Sequence, residues 1–389
     1  MQNGIFAIGN ATTTDQGWTI SNNIFGSAVA GDKLGFRGMS IQNAQSFVVS
    51  GNQIAGVVPA LSSTSTASGI LIGGAATNGS VFNNKISDIK SINVGGYGAN
   101  GIYLNSSNTA ANIAVYNNFV FDIAGYGYAA GAGVGDNGYG MFVGNGGGYS
   151  IYHNTVVMNT NQNVASLPAA FNVAAGVITP GAINLRNNIF VNTQTQAGER
   201  YAIYSGAANT VFAAIDFNNY YTTGANLGFI GSARVDLTAV QAGFGGNVSS
   251  LNVLPVFLSA TDLHLDTTTN SSLDNLGTPI GSVTVDIDGD VRTATPDMGA
   301  DEFTGPLGVN DFDSSSFSFY PNPVKNVLNI AYSKGMSDVA IFNIMGQQVF
   351  AGKINATTAQ IDMSGLSNGA YFVKVSSDNA TKTVKVIKK

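Results

Sequence analysis

An asparagine recurs at a nearly fixed interval through the first two thirds of this 389-residue chain. The positions that share this register are Asn23, Asn52, Asn84, Asn118, Asn154, Asn188 and Asn218. An aliphatic residue lies three positions before each of them, and an apolar residue lies two positions after. A Gly-apolar-x-apolar signal precedes the asparagine in the first five repeats. Each repeat of about 30 residues therefore predicts at least two short strands separated by a turn.

A repeat of this length built from strands predicts a solenoid, in which each coil stacks on the next. We interpret residues 1–250 as a right-handed parallel β-helix, which is an all-β fold. In this interpretation each repeated asparagine lies at a tight turn, adopts the left-handed backbone conformation and exchanges side-chain hydrogen bonds with the asparagines above and below. A leucine-rich repeat would require leucine spacing, and a propeller would require four strands per unit. Neither fits this register.

The composition excludes several classes of function. Only 10% of the residues are charged, and the net charge is −6. Because no basic face is available to neutralise phosphates, we expect no nucleic-acid partner. The chain contains no cysteine, so it has neither disulfides nor thiolate metal sites. No apolar run reaches the roughly 18 residues that a membrane-spanning helix requires, so we expect no membrane span.

Residues 317–389 contain short segments in which apolar and polar residues alternate, which predicts a small immunoglobulin-like β-sandwich. Four motifs follow in order: Tyr-Pro-Asn-Pro, a strand closed by a glycine turn, Leu-x-x-Gly-x-Tyr, and a basic last strand. Their residues are Tyr320, Pro321, Asn322, Pro323, Gly346, Leu366, Gly369, Tyr371, Lys388 and Lys389. In this order they resemble the C-terminal sorting domain of the type IX secretion system of Bacteroidota. An unrelated adhesion module would share the fold but would not explain the motif order.

The resemblance implies a destination and partners. The protein would be secreted or attached to the outer-membrane cell surface, and its partners would be the type IX translocon and a sortase-like protease. In the family the sorting domain is removed on export, and we expect cleavage in the linker 304–316, which is rich in glycine and serine. This pathway also requires a signal peptide, which residues 1–4 do not begin. We therefore expect the sequence to be part of a longer precursor.

Residues 251–303 lose the asparagine register, and we interpret them as the C-terminal cap of the β-helix, because an open end would expose unpaired strand edges. The stretches 286–292 and 296–302 resemble the ending of β-helix surface proteins from the same bacteria. Asp286, Asp288 and Asp290 alternate around a glycine, and three such carboxylates could bind Ca²⁺. A plain hairpin turn is the alternative explanation, and we expect no other cofactor.

The β-helix fold also houses polysaccharide lyases and glycoside hydrolases of the pectate-lyase-like kind, which gives an alternative function. Lyases of this shape use a Lys or Arg base with acidic calcium ligands, and the candidates here are Lys85, Asp88, Lys90 and Asp122. The two aspartates each follow a repeated asparagine by four residues, so we expect them to stack on adjacent coils. The alternative requires Lys85, Asp88 and Asp122 to converge in a groove. Solvated turn carboxylates explain the two aspartates equally well.

Four tyrosines lie among glycines in expected loops, where aromatic rings could stack on sugars: Tyr97, Tyr126, Tyr128 and Tyr139. Neither His153 nor His264 has a partner cluster in the sequence, so we expect neither a metal site nor a catalytic triad there.

Together these patterns favour a secreted or cell-surface β-helix that acts as a glycan-binding or adhesion module and has no catalytic residues. A polysaccharide lyase or glycoside hydrolase is the alternative, and a structural spacer without a ligand is a third hypothesis.

Overall fold

The protein divides into two compact units, Met1–Gly305 and Pro306–Lys389, and each unit has its own hydrophobic core. The computed structural model describes residues 3–27, 29–60, 65–127, 137–304, 316–377 and 380–389. The boundary between the units falls inside the segment 304–316 that the sequence assigns to a linker.

Three sheets form the frame of the first unit, and within the described residues their strands are parallel apart from one terminal strand. The first sheet contains Asn3–Ile8, Arg37–Gln42, Ala67–Gly74, Ala99–Ser106, Gly138–Asn145, Ala169–Val173, Tyr201–Ser205, Gly228–Ile230 and the antiparallel Ser232–Arg234. The second sheet contains Thr19–Ser21, Val48–Ser50, Ser80–Phe82, Ile113–Tyr116, Tyr149–Tyr152, Ile183–Arg186 and Phe212–Asp216. The third sheet contains Ile24–Phe25, Gln53–Ile54, Lys85–Ile86, Phe119–Phe121, Thr155–Met158, Ile189–Asn192 and Asn219–Thr222.

Each coil of the chain adds one strand to each of these sheets, which confirms the predicted parallel β-solenoid. Shorter strands pair between neighbouring coils at Ile89–Lys90 with Ile123–Ala124, and at Asp15–Gln16 with Ala44–Gln45. In the described part of the chain, 3₁₀ turns lie at Ala30–Asp32 and Asn209–Val211. The right-handed winding stays a prediction.

The interior of the solenoid is built from the apolar positions that flank the repeated asparagine. Val81, Val115 and Ile151 stack in register on successive coils and have no exposed surface. Burial of each such side chain stabilises the fold by about 1.5–3 kcal/mol. The recurring glycine has a steric role, because a Cβ atom at Gly101 would lie 2.3 Å from Cγ1 of Val120. The Gly-apolar-x-apolar signal therefore marks a point where a strand passes close to the interior side chains.

The repeated asparagines form a continuous hydrogen-bonded ladder, as predicted. The Nδ2 atom of Asn118 donates to Oδ1 of Asn154 at 2.9 Å, and Nδ2 of Asn154 donates to Oδ1 of Asn188 at 2.9 Å. The backbone N–H of each of these donors reaches the same acceptor oxygen. At the last coil Ser250 takes the position of an asparagine and accepts from the backbone N–H of Asn218 at 3.0 Å.

The ladder asparagines do not adopt the left-handed backbone conformation, and on this point the sequence interpretation was wrong. The positive φ angle belongs to the preceding residue in every coil: Asn22, Gly51, Asn83, Asn117, His153, Asn187 and Phe217. The two residues of an Asn-Asn pair therefore have different structural roles. The first residue makes the left-handed turn, and the second donates and accepts the ladder hydrogen bonds.

The last coil is closed by the α-helix Leu237–Phe244. Asp236 caps its N-terminus by accepting from the backbone N–H of Ala239 at 2.8 Å, and Gly245 ends it with a φ of 71°. Val240 and Phe244 are buried in the solenoid core. The helix thus covers apolar side chains that the final coil would otherwise expose.

Residues 251–303, which the sequence assigns to the cap, begin on the last coil, where Leu251 pairs with Asn219, and then pack along the flank of the solenoid. Strands Phe257–Ser259 and Asp262–Leu265 form an antiparallel hairpin in this segment. Apolar residues of this segment, 251–303, which we call the flank segment, pack against the outer face of the third sheet. The cluster contains Phe119, Phe121, Val157, Ile189 and Val191 from the sheet, and Leu263, Leu265, Leu273, Ile287, Met298, Ala300 and Phe303 from the flank segment. The outward side chains of these strands are apolar, so they need a cover that the solenoid itself does not supply.

The second unit is an antiparallel sheet of five strands within the described residues: Phe317–Tyr320, Val327–Asn343, Gln348–Asp362, Gly369–Ser377 and Ala380–Lys388. The long strand Val327–Asn343 pairs with Phe317–Tyr320 along its first half and with Gly369–Ser377 along its second half. The expected β-sandwich is therefore one continuous sheet that curls around its own apolar face. Among the described residues no helix has the length and hydrophobicity of a membrane span.

Candidate functional site

The two aspartates predicted to stack on adjacent coils do so. Nζ of Lys90 lies 2.9 Å from Oδ1 of Asp88 and 2.9 Å from Oδ2 of Asp122, and Nζ of Lys33 lies 2.9 Å from Oδ2 of Asp88. The second oxygen of Asp122 accepts from the hydroxyl of Thr160. Every carboxylate oxygen of this pair is therefore occupied by a side chain of the protein.

Lys85 does not join these aspartates. It is exposed on the strand Lys85–Ile86, and its Nζ lies 5.5 Å from the ring centroid of Phe119. The lyase alternative requires Lys85, Asp88 and Asp122 to converge, and that condition is not met.

The ion-pair network has a defined pH dependence. Burial opposes the charged form of Asp88, but the hydrogen bonds from Lys90 and Lys33 outweigh it and lower the pKa of Asp88. Burial likewise opposes the charged form of Lys90, and the two aspartates raise its pKa. A carboxylate whose pKa is lowered by folding stabilises the fold fully above its pKa in the unfolded chain, and this contribution is lost in acid. A lysine whose pKa is raised by folding stabilises the fold fully below its pKa in the unfolded chain, and this contribution is lost in alkali. The network therefore contributes fully between about pH 5 and pH 9.

We expect Lys90→Met to reduce the free energy of unfolding at pH 7 by about 1–2 kcal/mol, because two partly buried aspartates lose their shared cation. The difference from the wild type should shrink as the pH falls below about 4, since the unfolded chain then binds a proton that the ion pairs of folded Asp88 exclude. Urea titrations at several pH values measure this. Lys85→Met is the control, because Lys85 makes no ion pair within the described residues. A difference that stays constant down to pH 3 would contradict the electrostatic explanation.

The predicted calcium ligands do not converge. Asp286 is fully buried, and its Oδ1 accepts from the backbone N–H groups of Asp288, Gly289 and Asp290 at 2.8–2.9 Å. Its Oδ2 accepts from the backbone N–H of Glu302 at 2.9 Å. Because four backbone donors bind its carboxylate, Asp286 shapes the turn. Asp288 and Asp290 are exposed in that turn, and the trio is not among the groups of described residues whose ligand atoms are close enough to share a metal ion.

His264 lies at the centre of a group of carboxylates, which the sequence interpretation missed. Its Nδ1 contacts Asp262, and its Nε2 lies 2.6 Å from Oδ2 of Asp288. Asp301 is also near, so that His264, Asp288 and Asp301 could share a metal ion. Although burial opposes a charged imidazole, Asp262 and Asp288 raise the pKa of His264. The signal in the sequence was Asp262-x-His264 on one strand, where residues two apart share a face.

The solenoid holds this histidine in place. The ring of His264 packs edge-on against Phe119 of the third sheet, with ring centroids 5.0 Å apart. Asp301 is 8% exposed, and its Oδ2 accepts from the backbone N–H of Leu265 at 2.8 Å. Burial raises the pKa of Asp301.

An open cleft of about 930 Å³ lies beside this group, on the flank segment. His264 and Asp301 contribute to its wall, together with further acidic residues: Asp266, Asp274, Asp290 and Glu302. Leu258 and Val291 also line it and are 60% and 74% exposed. The cleft thus combines carboxylate acceptors with apolar surface that faces solvent.

His153, in contrast, has a structural role. It is fully buried, its Nε2 accepts from Nδ2 of Asn187 at 2.8 Å, and its Nδ1 lies 3.1 Å from the backbone oxygen of Asp297. Burial lowers the pKa of His153 well below its usual value, and the nearby Arg292 acts in the same direction. Burial also raises the pKa of Asp297 to about 7. These residues fasten the flank segment to the solenoid.

The four tyrosines predicted to contact glycans differ in their exposure to solvent. Tyr139 is fully buried in the strand Gly138–Asn145 against Phe142, so it is inaccessible to a glycan, and this prediction was wrong. Tyr97 and Tyr126 are half-buried in loops and keep some exposed surface. Tyr128 lies outside the described residues.

The motifs of the second unit hold its sheet together. Asn322 accepts from the backbone N–H of Ile387 at 2.9 Å and donates to the backbone oxygen of Lys385 at 3.1 Å, so the Tyr-Pro-Asn-Pro segment binds the last strand. The hydroxyl of Tyr371 donates to the backbone oxygen of Ser367 at 2.8 Å. Gly346 makes a turn with a φ of 80°. Tyr320 is 59% exposed and is available to a partner.

Comparison with solved structures gives a weak likeness to the enzymatically active domain of tailspike protein 2 of bacteriophage CBA120. The identity is 10% and the TM-score is 0.18, and the match covers 97% of this chain and 65% of that one. The chain therefore spans less than two thirds of that protein's length. A likeness at this level carries no argument about function, and no curated protein matches the sequence.

The second unit has a clear relative among protein families. Residues 318–389 match the family described as the secretion system C-terminal sorting domain. The match begins one residue after the predicted start of this domain at 317. The protein is therefore a parallel β-solenoid that carries a type IX secretion C-terminal sorting domain, and it is secreted to the cell surface or the exterior.

Proposed function

We propose that the exported solenoid is a glycan-binding or adhesion module, and that the cleft beside His264 binds a neutral or amine-bearing glycan. The observation that carries this proposal is the lining of the cleft. Carboxylate oxygens accept hydrogen bonds from sugar hydroxyls, and the exposed side chains of Leu258 and Val291 offer apolar contact to the C–H faces of sugar rings.

The charge of the chain selects the class of glycan. Residues 1–317 contain eight basic and nineteen acidic residues, whereas residues 318–389 contain eight basic and three acidic residues. The acidic residues of the cleft therefore lie in a unit that is itself strongly negative. A polyuronate or a sulfated glycan would be repelled by this surface, and an amine-bearing sugar would be attracted. Arg292 lies near the cleft, but its Nη1 is paired with Glu302 at 3.0 Å and is not available to an anion.

The same reasoning weighs against a lyase that acts on polyuronates. Such an enzyme needs a cationic residue beside the substrate carboxylate. Lys85 is separate from the aspartate pair, and Lys90 is held between Asp88 and Asp122.

A panel of neutral, amine-bearing and acidic polysaccharides tests the proposal, with retention on the full chain as the readout. We expect retention by neutral or amine-bearing polymers and none by polyuronates. For a polymer that is retained, Val291→Asp should weaken binding about ten-fold or more, because a charge replaces an apolar contact. The matched control is Val248→Asp, since Val248 is also a valine with 81% exposure and is not part of the cleft lining.

Two results would contradict the proposal. The first is retention of acidic polymers alone. The second is an equal loss of binding in both valine variants, which would place the binding surface elsewhere. Tyr97→Ala and Tyr126→Ala test the loop surface separately, and a loss confined to those variants would assign binding to the loops.

A further inference from the structure

We infer that His264, Asp288 and Asp301 form a binding site for a divalent transition-metal cation of the Zn²⁺ class. This site lies on the wall of the cleft, and it differs from the calcium trio considered from the sequence. The inference goes beyond the proposed glycan binding, because the residues and the test do not depend on any glycan.

The donor atoms of the three residues lie close together. One ligand atom from each of the three residues lies within 4.8 Å of the other two, so that one cation could contact all three after small side-chain adjustments. The turn around Asp286 fixes the position of Asp288, because three successive backbone N–H groups of that turn bind one oxygen of Asp286. The hydrogen bond from Leu265 fixes Asp301 beside the strand that carries His264.

One carboxylate of the group is only partly paired by the protein. Asp301 is more than nine-tenths buried, and among the described residues only its Oδ2 receives a hydrogen bond. Asp301 also lines the cleft. A largely buried carboxylate that accepts a single hydrogen bond from the protein keeps lone pairs for a cation that enters from the cleft.

The imidazole of His264 has a carboxylate on each ring nitrogen. Asp262 contacts Nδ1 of His264, so Nε2 is the nitrogen that faces Asp288. A carboxylate on one ring nitrogen and a metal on the other is the usual arrangement of a metal-binding histidine. The Asp262 side chain would orient the ring, while Nε2 exchanges its proton for the metal.

The set of ligands selects the class of cation. Calcium and magnesium prefer oxygen ligands only, whereas one imidazole with two carboxylates suits Zn²⁺ or a neighbouring transition metal. Three protein ligands leave at least one coordination position for water or for a hydroxyl of a bound molecule.

Few side chains of this protein could supply an imidazole ligand. The chain has two histidines and no cysteine. His153 is fully buried and both of its ring nitrogens are engaged by the protein. Any imidazole coordination in an untagged chain therefore reports on His264.

The test is calorimetric titration of the untagged, EDTA-treated and dialysed full chain with Zn²⁺. We expect one Zn²⁺ per chain. His264→Gln and Asp301→Asn, which nearly preserve side-chain volume, should each weaken binding by at least about 100-fold, and Asp262→Asn should weaken it by about 10–100-fold. Asp290→Asn is the control, because Asp290 lies in the same turn but outside the group, and its binding should equal that of the wild type.

The inference is overturned if the wild type binds no Zn²⁺, since His264 then only forms ion pairs with its aspartates. It is also overturned if Zn²⁺ binds equally well to the His264 and Asp301 variants. Zinc X-ray absorption of the wild type gives a readout that needs no folded variant. We expect imidazole scattering and nitrogen or oxygen ligands at about 2.0–2.1 Å. A spectrum without imidazole would exclude His264 as a ligand.

Discussion

Asn154→Ala should lower the free energy of unfolding of the solenoid by about 3–5 kcal/mol, which is the largest stability effect we expect from a single ladder substitution. Asn154 is fully buried. Its Oδ1 accepts from both the backbone N–H and Nδ2 of Asn118, and its Nδ2 donates to Asn188 and to the backbone oxygen of Val115. Truncation therefore leaves several buried polar groups without partners.

Urea unfolding followed by circular dichroism and by the fluorescence of Trp18, the single tryptophan, measures this effect. Trp18 packs against the solenoid core, so its signal belongs to the first unit. Asn23→Ala is the matched control. Asn23 is exposed on the first coil and donates to Asn52 at 3.0 Å, but no described residue donates to its side-chain oxygen. We expect it to cost less than about 1 kcal/mol. Equal losses at the two positions would show that the ladder does not gain strength from burial.

Val386→Asp should abolish export of most of the protein, which is the largest functional effect that the fold predicts. Val386 is fully buried in the last strand, directly opposite Tyr371, in the core of the sorting sheet. An unpaired buried carboxylate there should destabilise the second unit by about 4 kcal/mol or more. That is a large part of the 5–15 kcal/mol typical of a domain, so few chains would present a folded sheet to the translocon.

Immunoblots of the medium, the cell surface and the periplasm of a type IX-competent bacterium measure this export. Thr383→Asp is the control, because Thr383 is exposed on the same strand and faces away from the core. It introduces the same charge without burying it, and it should be exported like the wild type. Normal export of Val386→Asp would mean that the translocon recognises the motif residues in an unfolded segment and does not need the sheet.

The sequence predicted the features that depend on local repetition. The asparagine register with its flanking apolar positions, such as Val115 and Val120 around Asn118, specified strands, turns and an interior face, because β-strand alternation is a short-range pattern. The order of the sorting motifs was equally local, and the family match at 318–389 agrees with it. Stacking of Asp88 on Asp122 followed directly from the register.

Other features depended on packing that no short-range pattern encodes. Within each Asn-Asn pair the two residues are identical in the sequence, and only the backbone of the coil decides that Asn117 turns while Asn118 joins the ladder. The sequence could place residues 251–303 after the last coil, but not on the flank. That placement arises because Phe119 and Ile189 face outwards and need an apolar cover.

The repeat by itself therefore determined that the first unit is a solenoid, since every coil has the same local preference for strand and turn. The motifs after residue 317 determined the secretion domain. The tertiary structure alone decided which polar side chains meet on the surface. His264 meets Asp288 across 24 residues and contacts Phe119 across a still longer stretch of chain. Such a group exists only because hydrophobic packing of the flank brings together polar residues that the sequence keeps apart.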